Sequence, residues 1–164
     1  VKLNDSVLIL GAGGKSGILC AYQARKSAGP KGNVIGLIHS ESHKKELEEL
    51  GFCNHIIVGD ATKPMEIYQK VKEIAPQLVD VTINVVNVSN TEMSSILPTK
   101  NNGTVYFFSM ATSFTKAALG AEGIASEALM IVGNGYTKNH AEFTLNLLRE
   151  SPTLYKVFNE RYGG

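Results

Sequence analysis

The stretch Ser6–Gly17, SVLILGAGGKSG, runs from the apolar residues Val7–Leu10 into a loop with glycine at 11, 13, 14 and 17. Directly after it, ILCAYQARK (Ile18–Lys26) opens an amphipathic pattern. A strand, a glycine turn and a helix in that order bring backbone N–H groups to a helix N-terminus, where the macrodipole favours an anion such as a pyrophosphate. Ser16 stands where GxGxxG would place its third glycine, so Gly11, Gly14 and Gly17 read as GxxGxxG, a loop wider by one residue. Lys15 can neutralise phosphate charge and Ser16 can donate to a phosphate oxygen. The competing reading is a glycine-rich turn without a ligand, with Lys15 solvated at a helix start. The GxxxxGK[ST] spacing of a nucleoside-triphosphate loop is not met, which argues against ATP hydrolysis.

Outward from this loop, short β-branched apolar runs alternate with amphipathic segments, the pattern of strands buried on both faces by crossover helices. Six strands are predicted: Val7–Leu10, Val34–Ile38, His55–Val58, Val81–Val85, Thr104–Phe108 and Leu129–Val132. Helices are expected over Ser16–Ala28, Ser42–Leu50, Pro64–Ala75, Thr91–Leu97, Asn139–Arg149 and Pro152–Arg161. Pro64 suits a first helical turn and Gly51 a left-handed helix end. The charges Lys44, Lys45, Glu46, Glu48 and Glu49 solvate the helix whose apolar face carries Leu47 and Leu50. TSFTKAALGAEGIAS, from Thr112 to Ser126, reads as loop, short helix, or both. Alternating strands and helices give an α/β Rossmann fold: one doubly wound, six-stranded parallel sheet in the order 3-2-1-4-5-6, formed by a single domain over residues 1–164.

In such a sheet ligands lie outside the carboxyl ends of the strands, which selects the remaining candidates. The acid that accepts the ribose hydroxyls of NAD is missing after the second strand, where Ile38 and His39 stand. Ser40, His43 and Lys44 can contact a 2′-phosphate and so favour NADP, or they cap and solvate the next helix; Glu41 leaves a route to NAD. Asp60 and Ala61 stand where an adenine edge rests, although Asp60 also suits a cap for the helix at Pro64. Asn84, Val86 and Asn87 follow the fourth strand, and Ser109 and Met110 the fifth, at the place for a nicotinamide and its substrate. Each also reads as a turn residue.

Composition excludes several classes. With 164 residues, 43% hydrophobic and 19% charged, the chain has the make-up of one folded domain. Sixteen Lys+Arg against fifteen Asp+Glu leave a formal charge of +1, so no basic field calls for nucleic acid or an anionic membrane. No leader and no membrane-spanning apolar run is seen. Cys20 and Cys53 form neither a CxxC nor a disulfide framework, which points to a reducing cytoplasm. His39, His43, His55 and His140 lack metal-ligand spacing, so no metal is expected. The start at Val1 and the end RYGG fit an excerpt of a longer polypeptide.

The segments Val34–Thr62, Asn101–Met110 and Leu129–Leu154 resemble the cofactor domain of the medium-chain dehydrogenase/reductase superfamily. LILGAGGKSG, residues 87–123 and GNGYTKNHAE narrow the resemblance to an amine-oxidising branch of anaerobic lysine fermentation. It covers nearly the whole chain. The resemblance implies NAD or NADP as cofactor, an amino-acid-derived small-molecule substrate, a homo-oligomer, and a separate substrate domain. The isolated segment would then bind cofactor and catalyse little. No catalytic acid or base carries over onto this sequence, and the zinc Cys/His pattern of some relatives is absent from it. A quinone or enoyl reductase of the same superfamily and a non-catalytic NAD(P)-sensing module stand as alternatives. A methyltransferase fits less well, because the acid it uses after the second strand is missing.

Overall fold

A computed structural model describes residues 1–133 and 137–163. Val1–Asn134 form one compact unit and Gly135–Gly164 another. In the first unit, strands β1 (Ser6–Leu10), β2 (Asn33–Ile38), β3 (His55–Val58), β4 (Val79–Asn84), β5 (Thr99–Phe107) and β6 (Leu129–Val132) build one sheet. Its order is β3-β2-β1-β4-β5-β6, as the sequence predicts, and every pairing is parallel. The first strand is central: Val7 pairs in register with Val34 on one side and Val81 on the other.

Helices α1 (Lys15–Ala28), α2 (Lys44–Leu50), α3 (Pro64–Ile74), α4 (Glu92–Ile96) and α5 (Phe114–Gly123) connect the strands. Cover on both faces is why Val7 to Leu10 are all apolar rather than alternating, and each is fully buried. Leu8, Leu10, Ile35, Leu37 and Ile57 pack in one core with Ile67 and Val71 of α3. Phe107, Val105 and Ile96 form a second core with Ala117 and Ala121, whose small side chains let α5 approach closely.

Most element ends fall within two residues of the sequence reading, and three features add to it. The segment expected as one helix from Ser42 begins with a 3₁₀ turn, Glu41–His43, because Ser40 caps it by accepting from the Ser42 backbone N–H. β5 starts five residues before the predicted Thr104: Thr99 is already paired with Val79, and a register shift lies between Val79 and Val81. The polar run Lys100–Asn102 hid that extension. The ambiguous segment resolves into α5, with the Ser113 hydroxyl accepting from the Lys116 N–H.

In the second unit, α6 (His140–Glu150) and α7 (Pro152–Tyr162) are separated by Ser151. Its hydroxyl accepts from the Leu154 N–H at 3.2 Å, and Pro152 needs no partner in the first turn. Leu147, Leu154 and Val157 are buried.

Below the sheet's amino ends, Asp80 ties β4 to both neighbours. It accepts from Lys100 Nζ at 2.6 Å and from the Ser6 backbone N–H at 2.8 Å. Partial burial raises its carboxyl pKa, but the bonds from Lys100 and Ser6 outweigh that and hold it below the ordinary 3.8. A carboxyl depressed in the fold contributes stability above its unfolded pKa and loses it as pH falls through the folded value. Asp80→Asn is therefore expected to cost about 1 kcal/mol at pH 7, after allowance for partial exposure, and to flatten the loss of stability below about pH 4. Urea melts across pH check this; an acid limb identical to wild type contradicts it.

Candidate functional site

The glycine loop is pinned to the end of β2. Gly11 and Ala12 both donate their N–H to the Leu37 carbonyl at 3.0 Å, and the Gly14 N–H donates to the Gly11 carbonyl at 3.1 Å. Gly11 has φ 87°, the left-handed region that an L side chain rarely adopts. At Gly17 the requirement is space: a Cβ there would lie 2.0 Å from the Gly11 oxygen and 2.7 Å from the Ala12 Cα. That contact lets α1 descend onto the loop. Gly14 is its N-cap with an extended backbone; its carbonyl accepts from the Ile18 N–H at 2.9 Å, and having no side chain it makes no side-chain cap bond. No acid stands in that turn. The helix dipole makes such an end attractive to an anion.

A cleft of about 540 Å³ opens beside this turn. Gly11 and Gly14 contribute one side, and residues 37–39, 59–62 and 85–88, at the carboxyl ends of β2, β3 and β4, supply the rest. It lies where the chain reverses direction across the sheet, between β1 and β4. Its walls are mainly apolar (Leu37, Ile38, Ala61, Val86), with Asp60 as the carboxylate among them. Asp60 Oδ1 accepts from the Thr62 backbone N–H at 2.8 Å and from the Thr62 hydroxyl at 2.7 Å. Those two bonds, chiefly the backbone one, hold its carboxyl below the usual range, with the charges of His39 and Lys63 adding to the effect. A flat heteroaromatic group fits such walls, and an anionic one fits the glycine turn.

Of the candidates named from sequence, the structure brings Gly11, Gly14, Asp60, Ala61, Val86 and Asn87 to this cleft. Gly13 sits behind it: a Cβ there would touch His43 Cβ at 3.2 Å and Ile38 Cγ2 at 3.4 Å. Lys15 and Ser16 occupy the first turn of α1, exposed and half-buried respectively. Ser40 shares a hydrogen bond with the Ser42 hydroxyl at 3.0 Å, and the Lys44 ammonium lies 3.8 Å from Glu41. Ser109 Oγ reaches Asn87 Oδ1 at 3.5 Å, so the ends of β4 and β5 meet there, and Met110 is 82% exposed next to it.

Asn84 has another task. Fully buried, it donates from Nδ2 to Thr91 Oγ1 and to Ser95 Oγ, each at 2.9 Å, and accepts from the Val86 N–H at 3.0 Å. It shapes the cleft wall instead of reaching into the cleft. Sequence reasoning missed Leu37, Ile38, His39, Gly59, Thr62, Val85 and Val88 as lining residues. Their signal was positional, the last residue of a strand or the next few, and in the apolar ones it is indistinguishable from a core pattern.

Among the described residues no helix is long and apolar enough to cross a membrane, and no group of three or more His, Cys, Asp or Glu is arranged to hold a metal. Burial pushes the thiols of Cys20 and Cys53 up to about 11, so both are poor nucleophiles at neutral pH.

No family model matches the chain. It is 55% identical over 163 residues to L-erythro-3,5-diaminohexanoate dehydrogenase of Acetoanaerobium sticklandii and, at the same identity and length, to that of Fusobacterium nucleatum. Each alignment takes in 99% of this chain and 47% of the relative. The chain thus spans about half the length of these relatives. Among solved structures, AibC superposes with a TM-score of 0.72 at 20% identity, over 92% of this chain and 43% of its own. The reductase CinF, solved with NADP and 2-octenoyl-CoA, gives 0.67 at 18% identity, over 94% of this chain and 37% of its own. At these identities the structural likeness establishes the fold.

Proposed function

We infer, for a chain homologous over 99% of its length to L-erythro-3,5-diaminohexanoate dehydrogenases, that it is the dinucleotide-binding domain of such an enzyme. The observation that carries this reading is the cleft between the uncapped glycine turn of α1 and the ends of β2, β3 and β4. The turn at residues 11–17 takes the diphosphate, and the apolar walls at Ile38, Ala61 and Val86 take the adenine. Asn87 and Ser109 mark the rim toward which the nicotinamide points. The 55% identity favours amine oxidation over a quinone or enoyl reductase, whose likeness to this chain is one of fold.

A bound nicotinamide would accept hydride from the carbon that bears the 3-amino group of 3,5-diaminohexanoate. Water would then convert the resulting imine to 5-amino-3-oxohexanoate and ammonia, a step of lysine fermentation. The role of this chain is placement, because hydride transfer requires the two carbons to be held in contact at a fixed angle. We assign no proton-transferring residue within 1–164. Substrate contacts belong, in this proposal, to the portion of the enzyme outside the aligned half. Assembly into a homo-oligomer is part of the same proposal, supported by the open edge strand β6, on which Leu129 is 61% and Ile131 41% exposed.

With Ile38 and His39 where a ribose-binding acid would stand, the cleft admits a 2′-phosphate. Titration of NADH and NADPH into the chain tests the reading: saturable binding of either supports it, and binding of neither at millimolar concentration overturns it. Lys44 is the first residue of α2, and its side chain is 40% exposed. Lys44→Ala is expected to weaken NADPH about fivefold and to leave NADH unchanged. An unchanged ratio of the two removes Lys44 from phosphate recognition.

A further inference from the structure

We propose that Ser94, a buried residue of α4, is a positioning residue that holds the adenine side of the cleft; the proposal rests on the dinucleotide reading above. Ser94 is fully buried, and its hydroxyl donates to the Ala61 carbonyl at 2.6 Å, across 33 positions of sequence. Ala61 lines the cleft between Asp60 and Thr62. The neighbouring Ser95, also fully buried, faces the other wall: it accepts from Asn84 Nδ2, whose Oδ1 in turn accepts from the Val86 N–H. Consecutive residues of a helix project about 100° apart, which is how one short helix reaches two separate loops. Ser94 sets the wall after β3, and Ser95 with Asn84 sets the wall after β4.

The bonds of the β3 wall show why the Ser94 contact matters. The Gly59 N–H is tied to the Ile38 carbonyl, the Lys63 N–H to the Asp60 carbonyl, and the Asp60 carboxylate to Thr62. These are local or neighbouring-strand contacts. Ser94 to Ala61 is, in contrast, a bond from α4, the helix that follows β4, and so fixes this loop relative to the opposite wall. A hydroxyl is needed for it. Alanine at 94 would fill the same space apart from one oxygen and would leave the Ala61 carbonyl without this donor.

The test uses the full chain, with AMP as a probe of the adenine side and inorganic pyrophosphate as a probe of the glycine turn, both competing against NADH. Ser94→Ala is expected to weaken AMP about fivefold and NADH by the same factor, with pyrophosphate unchanged. Ser94→Cys, with a bulkier and much weaker donor, gives the same result should the alanine variant fail to fold. Equal losses for AMP and pyrophosphate would overturn the proposal, because they would mark a merely structural residue. Unchanged AMP affinity would also overturn it while leaving the dinucleotide reading intact. If wild type binds none of the three, the dinucleotide reading falls and this inference with it.

Discussion

Gly14→Asp should leave the fold as stable as wild type or better, and should abolish dinucleotide binding. The backbone of Gly14, φ −85° and ψ 172°, is already that of an N-cap residue, and a Cβ there would meet only the Gly11 oxygen, at 3.5 Å. An aspartate therefore fits without strain. Its carboxylate would accept from the first-turn N–H groups and complement the helix dipole, adding about 0.5 kcal/mol. The same carboxylate would stand where the diphosphate binds. Removing charge-assisted bonds and adding repulsion at about 4 Å amounts to about 3 kcal/mol, or at least 100-fold in Kd. Gly14→Ala separates the two effects: lacking an acceptor, it loses a little stability and keeps binding. Thermal melts and NADH titration of both variants check this. Retained affinity in the aspartate variant would show that the anion site lies elsewhere.

Gly17→Ala is expected to destabilise the protein by about 3 kcal/mol or more. Helix propensity alone points the other way, since alanine in place of glycine inside a helix gains about 1 kcal/mol. Geometry decides the sign. The new Cβ would collide with the Gly11 carbonyl at 2.0 Å and with the Ala12 Cα at 2.7 Å, both backbone, so no side chain can move aside. Either α1 lifts from the loop or the loop leaves β2, and the site opens in both cases. Urea unfolding measures this, and a free energy within 1 kcal/mol of wild type would contradict the packing described for α1.

These two glycines also show how unevenly the sequence disclosed the molecule. Both were visible in SVLILGAGGKSG, and so was the parallel order of the sheet, because strands covered on both faces become unbroken apolar runs such as Val7–Leu10. The distinct tasks of the glycines were hidden: Gly14 leaves a helix end without a side-chain cap, Gly17 admits a backbone contact, and only the three-dimensional arrangement separates them. The early start of β5 was masked by Lys100, Asn101 and Asn102, polar residues without strand character. The same holds for α4. Thr91, Ser94 and Ser95 read as the polar start of a short helix, yet they are buried and bonded to Asn84 and Ala61. A polar residue that braces a site from behind looks, in one sequence, like a polar residue facing water.

The central claim, that the glycine turn and the three strand ends form one dinucleotide site, is tested most directly by amide chemical-shift mapping of the labelled chain as NADH is added. Shifts concentrated at residues 11–17, 59–62 and 85–88 and saturating together are the predicted result. Saturation without change at residues 11–17, or shifts centred on another part of the chain, would contradict it.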